Sequence, residues 1–406
     1  MKKFLEIALG IVTSVGGFLE AGSIATAAQG GAAFGYRLSW AILIGTIALI
    51  VLVEMSGRLA AVSGHTITDA IRERFGGPFF VLVLVVVGLV SYLVLATEIA
   101  GVATALSMAT GLATRWWAVP VAFAVWILLW RGTFGMVEYG VSLLGLVTIA
   151  FLVGALKLHP AWAQLGTGLL PHRPPNHAAQ YWFVAVSILG ASISPYLYMF
   201  YSSGAIEDHW DESYLGMNRL VATLGMTFGG VLSLAVLVVA ALVFAPKGTH
   251  ITQYEQLGFL LVPPLGHWGR LLFIASLGIA CFGAAAEIAL ATAYMSAQGF
   301  GWQWSENIRP AEGARFSLIY TLLIALAAIP VVLGVDPLKL TNVSMALTAA
   351  SLPVTVLPLL VLMNDRAYLH DHTNSWLGNG ALILIALLSI VLLVVAFPLQ
   401  LMGGGG

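Results

Sequence analysis

The chain of 406 residues is 60% hydrophobic and only 9% charged, with a formal net charge of -1 and a mean hydropathy of +0.96. Soluble domains carry roughly 25% charged residues, so this much apolar surface calls for lipid as its solvent and predicts an all-α polytopic membrane protein. The near-neutral charge, without a compact basic run, excludes nucleic acid as a partner, and the lone Cys281 excludes a disulfide framework or thiolate cluster within one chain.

A span needs about 20 apolar residues. Eleven such runs fall near 5–30, 38–61, 78–106, 114–131, 137–157, 181–204, 217–245, 266–299, 314–334, 338–363 and 377–401. The first begins MKKFLEIALGIVTSVGGFLEA, with the lysines and apolar stretch of a signal peptide. Glu6 interrupts that stretch and the apolar character continues past Ala25, so it reads as a retained span. Residues 65–75 (HTITDAIRERF) place Ile67, Ala70, Ile71 and Phe75 at helical spacing beside Asp69, Arg72, Glu73 and Arg74, which predicts an amphipathic helix at the membrane interface. The four glycines 403–406 have no structural role and read as an appended remnant.

With the N-terminus inside, the inner loops collect Lys2, Lys3, Arg58, Arg72, Arg74, Arg131, Arg219, Arg309, Arg315 and Arg366. The outer loops hold Arg37, Arg115, Lys157, Arg173, Lys247, Arg270 and Lys339. Ten against seven favours a cytoplasmic N-terminus and an external C-terminus, and a short chain with few loops points to a bacterial inner (plasma) membrane.

Two spans are interrupted. The first carries Gly16-Gly17-Phe18-Leu19-Glu20-Ala21-Gly22-Ser23 in its middle, and the sixth carries Gly190-Ala191-Ser192-Ile193-Ser194-Pro195. Glycine weakens a helix by about 1 kcal/mol, and proline removes a donor and clashes with the preceding turn. These are the matching first members of two five-span halves, 1–160 and 161–365, followed by an eleventh span at 366–402. Broken helices at corresponding positions point to a transporter binding site, with backbone from Gly17, Ala21, Gly22, Ile193 and Pro195 opened toward a ligand. Intramembrane acids cost several kcal/mol unless paired or hydrated. Glu20, inside the first break, is therefore the leading site residue, with Glu98 and Glu287 as candidates for a proton or water path. Glu54 and Arg58 stand four apart and predict a local ion pair. Glu207, Asp208, Asp211 and Glu212 read as the start of a solvated loop, Tyr198 and Tyr201 as aromatic packing, and Cys281 as a small apolar residue in a helix. No nucleophile–base pair or HExxH motif appears, so neither an enzyme nor a cofactor is expected.

The chain resembles the Nramp family of divalent-metal transporters. The resemblance lies in Ala32-Ala33-Phe34-Gly35-Tyr36, residues 57–64 (GRLAAVSG), 70–75 (AIRERF) and 97–103 (TEIAGVA), Asp336-Pro337-Leu338-Lys339 and Asn364-Asp365-Arg366, so it spans essentially the whole chain. It implies a LeuT-type fold, two inverted five-helix repeats plus an eleventh helix. It also implies a divalent metal ion as substrate. The site departs from the family pattern. Asp-Pro-Gly-Asn in span one is here Glu20-Ala21-Gly22-Ser23, and Met-Pro-His in span six is Ser194-Pro195-Tyr196. A glutamine of span ten falls near Met345, and the paired acids of span three become Glu98 and Gly101. Replacing the methionine by Ser194 leaves oxygen donors, which suit Mg²⁺, Ca²⁺ or Mn²⁺. In that loss the chain resembles the magnesium-transporting branch, so Mg²⁺ is expected first and Mn²⁺ next. Loss of the histidine argues against proton coupling of the family kind. The expected ligand-binding set is Glu20, Ser23, Ser194, Tyr196 and Met345. The alternative is a LeuT-fold carrier of a small organic solute, an amino acid or amine whose ammonium pairs with Glu20.

Overall fold

The computed structural model describes residues 19–131, 145–171, 178–305 and 307–401. Gly16, Gly17, the N-terminal lysines, the opening of the fifth predicted span and residues 403–406 lie outside them. Within the described residues the chain is helical: α1 (Ala21–Phe34), α2 (Ser39–Ser63), α3 (Ile67–Phe75), α4 (Gly77–Thr110), α5 (Thr114–Arg131), α6 (Ile149–Lys157), α7 (Trp162–Gly168), α8 (Ala178–Ser192), α9 (Pro195–Glu207), α10 (Leu215–Val243), α11 (His267–Phe300), α12 (Ala314–Val332), α13 (Pro337–Leu362) and α14 (Trp376–Leu401).

Among these residues eight helical stretches are long and apolar enough to cross a membrane, or nine if one bent pair counts as a span. The difference from eleven has physical causes. The front of the first span lies outside the described residues, and what remains runs on through a 3-10 turn into α2 as one stretch, Ala21–Ser63. Helix α5 covers the fourth predicted span but is only 18 residues long, with Arg115 and Arg131 near its ends. The fifth predicted span, 137–157, is described only from residue 145, and just past its end Leu146–Lys157 and Trp162–Gly168 meet at 116°. Pro160 cannot donate to a continuing helix, and the preceding His159 takes φ 51°, outside the helical region.

The helices form one bundle in which α4 packs along α11, α13 against α14, and α10 against α1 and α2. Helix α1 sits in its middle, touched by α8, α10, α13, α4 and α11. The amphipathic segment is helical as expected, and Thr66 caps it by accepting the Asp69 amide at 3.1 Å. Its apolar face, however, does not lie on lipid: Ile67, Ala70 and Ile71 are fully buried. The Ile67 amide donates to Ser202 on α9 at 3.1 Å, so α3 docks on protein and closes one end of the bundle.

Candidate functional site

Within the described residues a helix starts at the first interruption and the sixth span is broken at the second, and the two places face each other. Helix α1 starts at Ala21, after Glu20 in extended backbone (φ -119°, ψ 178°). Ser23 holds that turn: its hydroxyl accepts the Glu20 amide at 2.9 Å and donates to the Glu20 carbonyl at 3.0 Å. In the sixth span α8 stops at Ser192 and α9 begins at Pro195, with Ile193 and Ser194 between them. Pro195 therefore starts a half-helix instead of interrupting one, and at that first position its missing N–H costs nothing. Across the gap the Tyr196 hydroxyl donates to Glu20 Oε2. Glu20, Ser23, Ser194 and Tyr196 are all 3% exposed or less.

Met345 on α13 is wedged between the two breaks. A Cβ on Gly22 would lie 2.3 Å from Met345 Sδ, and one on Gly190 would lie 2.1 Å from the Met345 carbonyl oxygen. Only glycine allows that approach from both broken spans. A thioether thus stands beside the first break, supplied by α13 and not by the sixth span.

The N-terminus of a half-helix in mid-membrane leaves amides without partners. Glu98 on α4 takes one of them, accepting the Ala21 amide at 3.1 Å through Oε2, while its Oε1 is buried without a partner among the described residues. One turn further, Gly101 occupies the second acidic position of span three. A Cβ there would lie 2.5 Å from Cys281 Sγ and 3.4 Å from the Ala21 Cβ, so no acid fits between α4, α11 and α1. Glu287 on α11 is half-buried and makes no hydrogen bond or ion pair among the described residues. Glu98 and Glu287 are close enough to repel a charge on Glu20. Among the described residues no basic side chain forms an ion pair with any of the three.

No group of three or more His, Cys, Asp or Glu side chains gathers to hold a metal among the described residues. A cation bound here would combine one carboxylate with hydroxyl, carbonyl or thioether donors. The last turn of α8 supplies carbonyls that no further turn takes up, whereas the Glu20 and Ser194 carbonyls already accept the Ile24 and Leu197 amides at 3.0 and 3.2 Å.

Sequence reasoning missed Tyr254. It lies in a four-residue turn, Tyr254–Leu257, with no periodicity to mark it, yet it is 1% exposed. Its hydroxyl donates to the Ala21 carbonyl at 3.0 Å and pairs with Thr341 of α13 at 3.1 Å, tying a loop to the first break. The remaining candidates fall where expected. Tyr198 packs fully buried and bonds Thr355, and Tyr201 bonds Asn218. Arg58 meets Glu54 at 3.2 Å. Of the acidic cluster, Asp211 bonds Ser213 locally, while Glu207 at the end of α9 accepts from Tyr294 and Ser305 and Glu212 faces His372. Cys281 is buried and free.

Comparison with known proteins agrees with this architecture. The family model described as "Nramp: Natural resistance-associated macrophage protein-like" matches residues 10–398. The "Divalent metal cation transporter MntH" of Deinococcus radiodurans is 27% identical over 366 residues, covering 86% of this chain and 79% of that protein. Among solved structures, a mutant of the Eremococcus coleocola manganese transporter superposes with a TM-score of 0.79 at 21% identity, covering 95% of this chain and 85% of that one. MhsT in complex with L-phenylalanine gives 0.65 at 15% identity over 96% of this chain and 98% of that one. The fold is thus LeuT-type.

Proposed function

The chain belongs to the Nramp family of membrane transporters, and on that premise we propose that it carries a divalent metal cation by alternating access, binding it at Glu20 between the two breaks. One observation carries this reading: two buried carboxylates, Glu20 and Glu98, stand together in mid-membrane with no basic partner among the described residues. Such charges are expensive in a bilayer, and a divalent cation neutralises both at once.

The ligands are the Glu20 carboxylate, the Ser194 and Tyr196 hydroxyls, break carbonyls and Met345. Ser23 holds the Glu20 turn. Tyr196 donates to Glu20 while no ion is bound, and an entering cation displaces that bond and turns the phenol oxygen toward itself. Oxygen donors alone would put Mg²⁺ first. Met345 returns a soft donor beside the break, so Mn²⁺ ranks ahead of Mg²⁺ in this reading. Tyr196 at the histidine position supports transport without obligatory proton coupling, Glu98 acting as the cap of α1. The organic-solute alternative is less well supported, because Tyr196 and Met345 fill the space against Glu20 and Gly22 that a solute would need. The charge bias supports a cytoplasmic N-terminus, with the Arg58 and Arg74 end inside and the His250 end outside.

Calorimetry of purified protein with Mn²⁺, Mg²⁺ and Ca²⁺ tests this. Mn²⁺ is expected to bind more tightly than Mg²⁺, and Met345→Leu to narrow that gap about tenfold. Glu20→Gln is expected to weaken binding of all three about 100-fold. Unchanged binding in Glu20→Gln would sink the reading.

A further inference from the structure

On the side of the bundle that carries His250, a cavity of about 250 Å³ opens between α1, α8, α13 and the loop after α10. Its polar lining comes from Gln29, Gln180, Ser187 and Asn342, with His250 and Lys339 at its exposed mouth. One of these is buried and unsatisfied. Asn342 is 7% exposed, and its Oδ1 is closed off without a hydrogen-bond partner among the described residues. The amide borders the cavity, so rotation about its last side-chain bond turns that oxygen to any donor arriving there. Ser187 donates its proton to the Phe183 carbonyl at 2.9 Å, which leaves its oxygen to accept. Gln29 spends its N–H on the Ile251 carbonyl at 3.5 Å, which likewise leaves its carbonyl oxygen. The cavity therefore offers neutral oxygen acceptors and no carboxylate at its base.

Side-chain contacts lie between this cavity and the residue after Glu20. Thr341, the neighbour of Asn342, is bonded to Tyr254, and Tyr254 to the Ala21 carbonyl. The chamber on the near side is large for a bare ion. Six waters at about 30 Å³ each occupy roughly 180 Å³, so a divalent ion fits with its first water shell complete. The Lys339 ammonium at the mouth does not oppose this. It is exposed and screened, and Asp336, whose carboxylate accepts the Lys339 amide at 2.8 Å, stands in the same turn.

We propose that this cavity is a second cation site, which holds a divalent metal as its hydrate through outer-sphere hydrogen bonds to Asn342, Gln29 and Ser187. The ion then sheds water on passing Tyr254. The identity of the cation rests on the function proposed above; the outer-sphere chemistry rests on the cavity.

Hexaamminecobalt(III) is the test. Its six ammines donate hydrogen bonds as bound waters do, and they do not exchange, so it cannot coordinate a carboxylate directly. Titrated into the purified full chain, it is expected to bind saturably at one site. Asn342→Leu should weaken that binding at least tenfold. Asn342→Asp, which keeps the shape and adds charge, should tighten it about tenfold, a gain that a folding defect cannot imitate. Glu20→Gln should leave it unchanged. Absence of saturable binding, equal affinity in the three Asn342 forms, or loss of binding in Glu20→Gln would each overturn the vestibule site. Unchanged Mn²⁺ binding in Glu20→Gln, with the cobalt complex still responding to Asn342, would instead overturn the Glu20 reading and leave this site standing.

Discussion

Two groups of acids in this bundle are treated in opposite ways. At the end closed by α3, carboxylates have basic partners: Glu54 has Arg58 at 3.2 Å and Arg219 at 3.6 Å, Asp365 has Arg74 at 2.7 Å, and Glu73 faces the His65 ring at 3.3 Å. Arg58 is further committed to the His372 carbonyl at 2.9 Å and Asn374 at 2.7 Å. In the centre of the bundle, where pairing would matter more, Glu20 and Glu98 accept from a phenol and a backbone amide and have no basic partner among the described residues. Folding alone would favour the reverse. The end network carries its own basic partners, whereas the central pair has none among the described residues and needs a proton or a bound cation to be neutral.

That contrast can be broken from either side. The largest effect expected is functional: Glu20→Gln should lower divalent-ion affinity about 100-fold, close to 2.7 kcal/mol. Its melting temperature should hold or rise, because an unpaired buried charge is gone. A clear fall in melting temperature with ion affinity intact would make Glu20 structural. Arg58→Met should do the opposite and destabilise the fold by about 3 kcal/mol, because it leaves Glu54 only the exposed Arg219 and removes the donor to the His372 carbonyl and Asn374, with the affinity of the surviving folded protein unchanged. Next in size, Gly101→Ala should cost about 1–3 kcal/mol in denaturation, since its new methyl overlaps Cys281. A neutral result would mean that α4 and α11 separate freely.

The smallest effect lies at the exposed pair. Arg74→Ala should cost no more than about 1 kcal/mol. The Ala367 amide first, and then Arg74, hold the Asp365 carboxyl below its ordinary value. A depressed folded pKa stabilises above the unfolded value of about 3.9 and is lost as pH falls through the folded one. Amide exchange along α3 should therefore quicken in acid below about pH 4. Exchange that is flat with pH would remove Asp365 from the docking of α3.

Much of this was legible beforehand. Apolar runs located the helices within a few residues, because a bilayer imposes length and composition directly. The breaks were readable because glycine and proline act locally, and Glu54 with Arg58 because helical spacing puts them on one face. What escaped notice depends on contacts between distant segments. Glu98 caps Ala21 across 77 residues, and no local pattern encodes that. Met345 stands in the expected ligand set only as the place of a span-ten glutamine; that its sulfur lies beside the start of α1 is read from the packing against Gly22 and Gly190. Helix α3 looked interfacial because its sequence is amphipathic, and amphipathicity does not distinguish lipid from a protein surface. Pro160 lay outside every counted run, so the bend it makes had no place in a tally of straight spans.

Tyr254 makes the loop after α10 an indicator of the pore. Its hydroxyl links the Ala21 carbonyl to Thr341, so opening that partition has to move the loop backbone. A fluorophore on exposed Gln253 would report the opening from outside the conduction path. An antibody fragment gripping the same loop would lock the transporter shut without competing with its cargo.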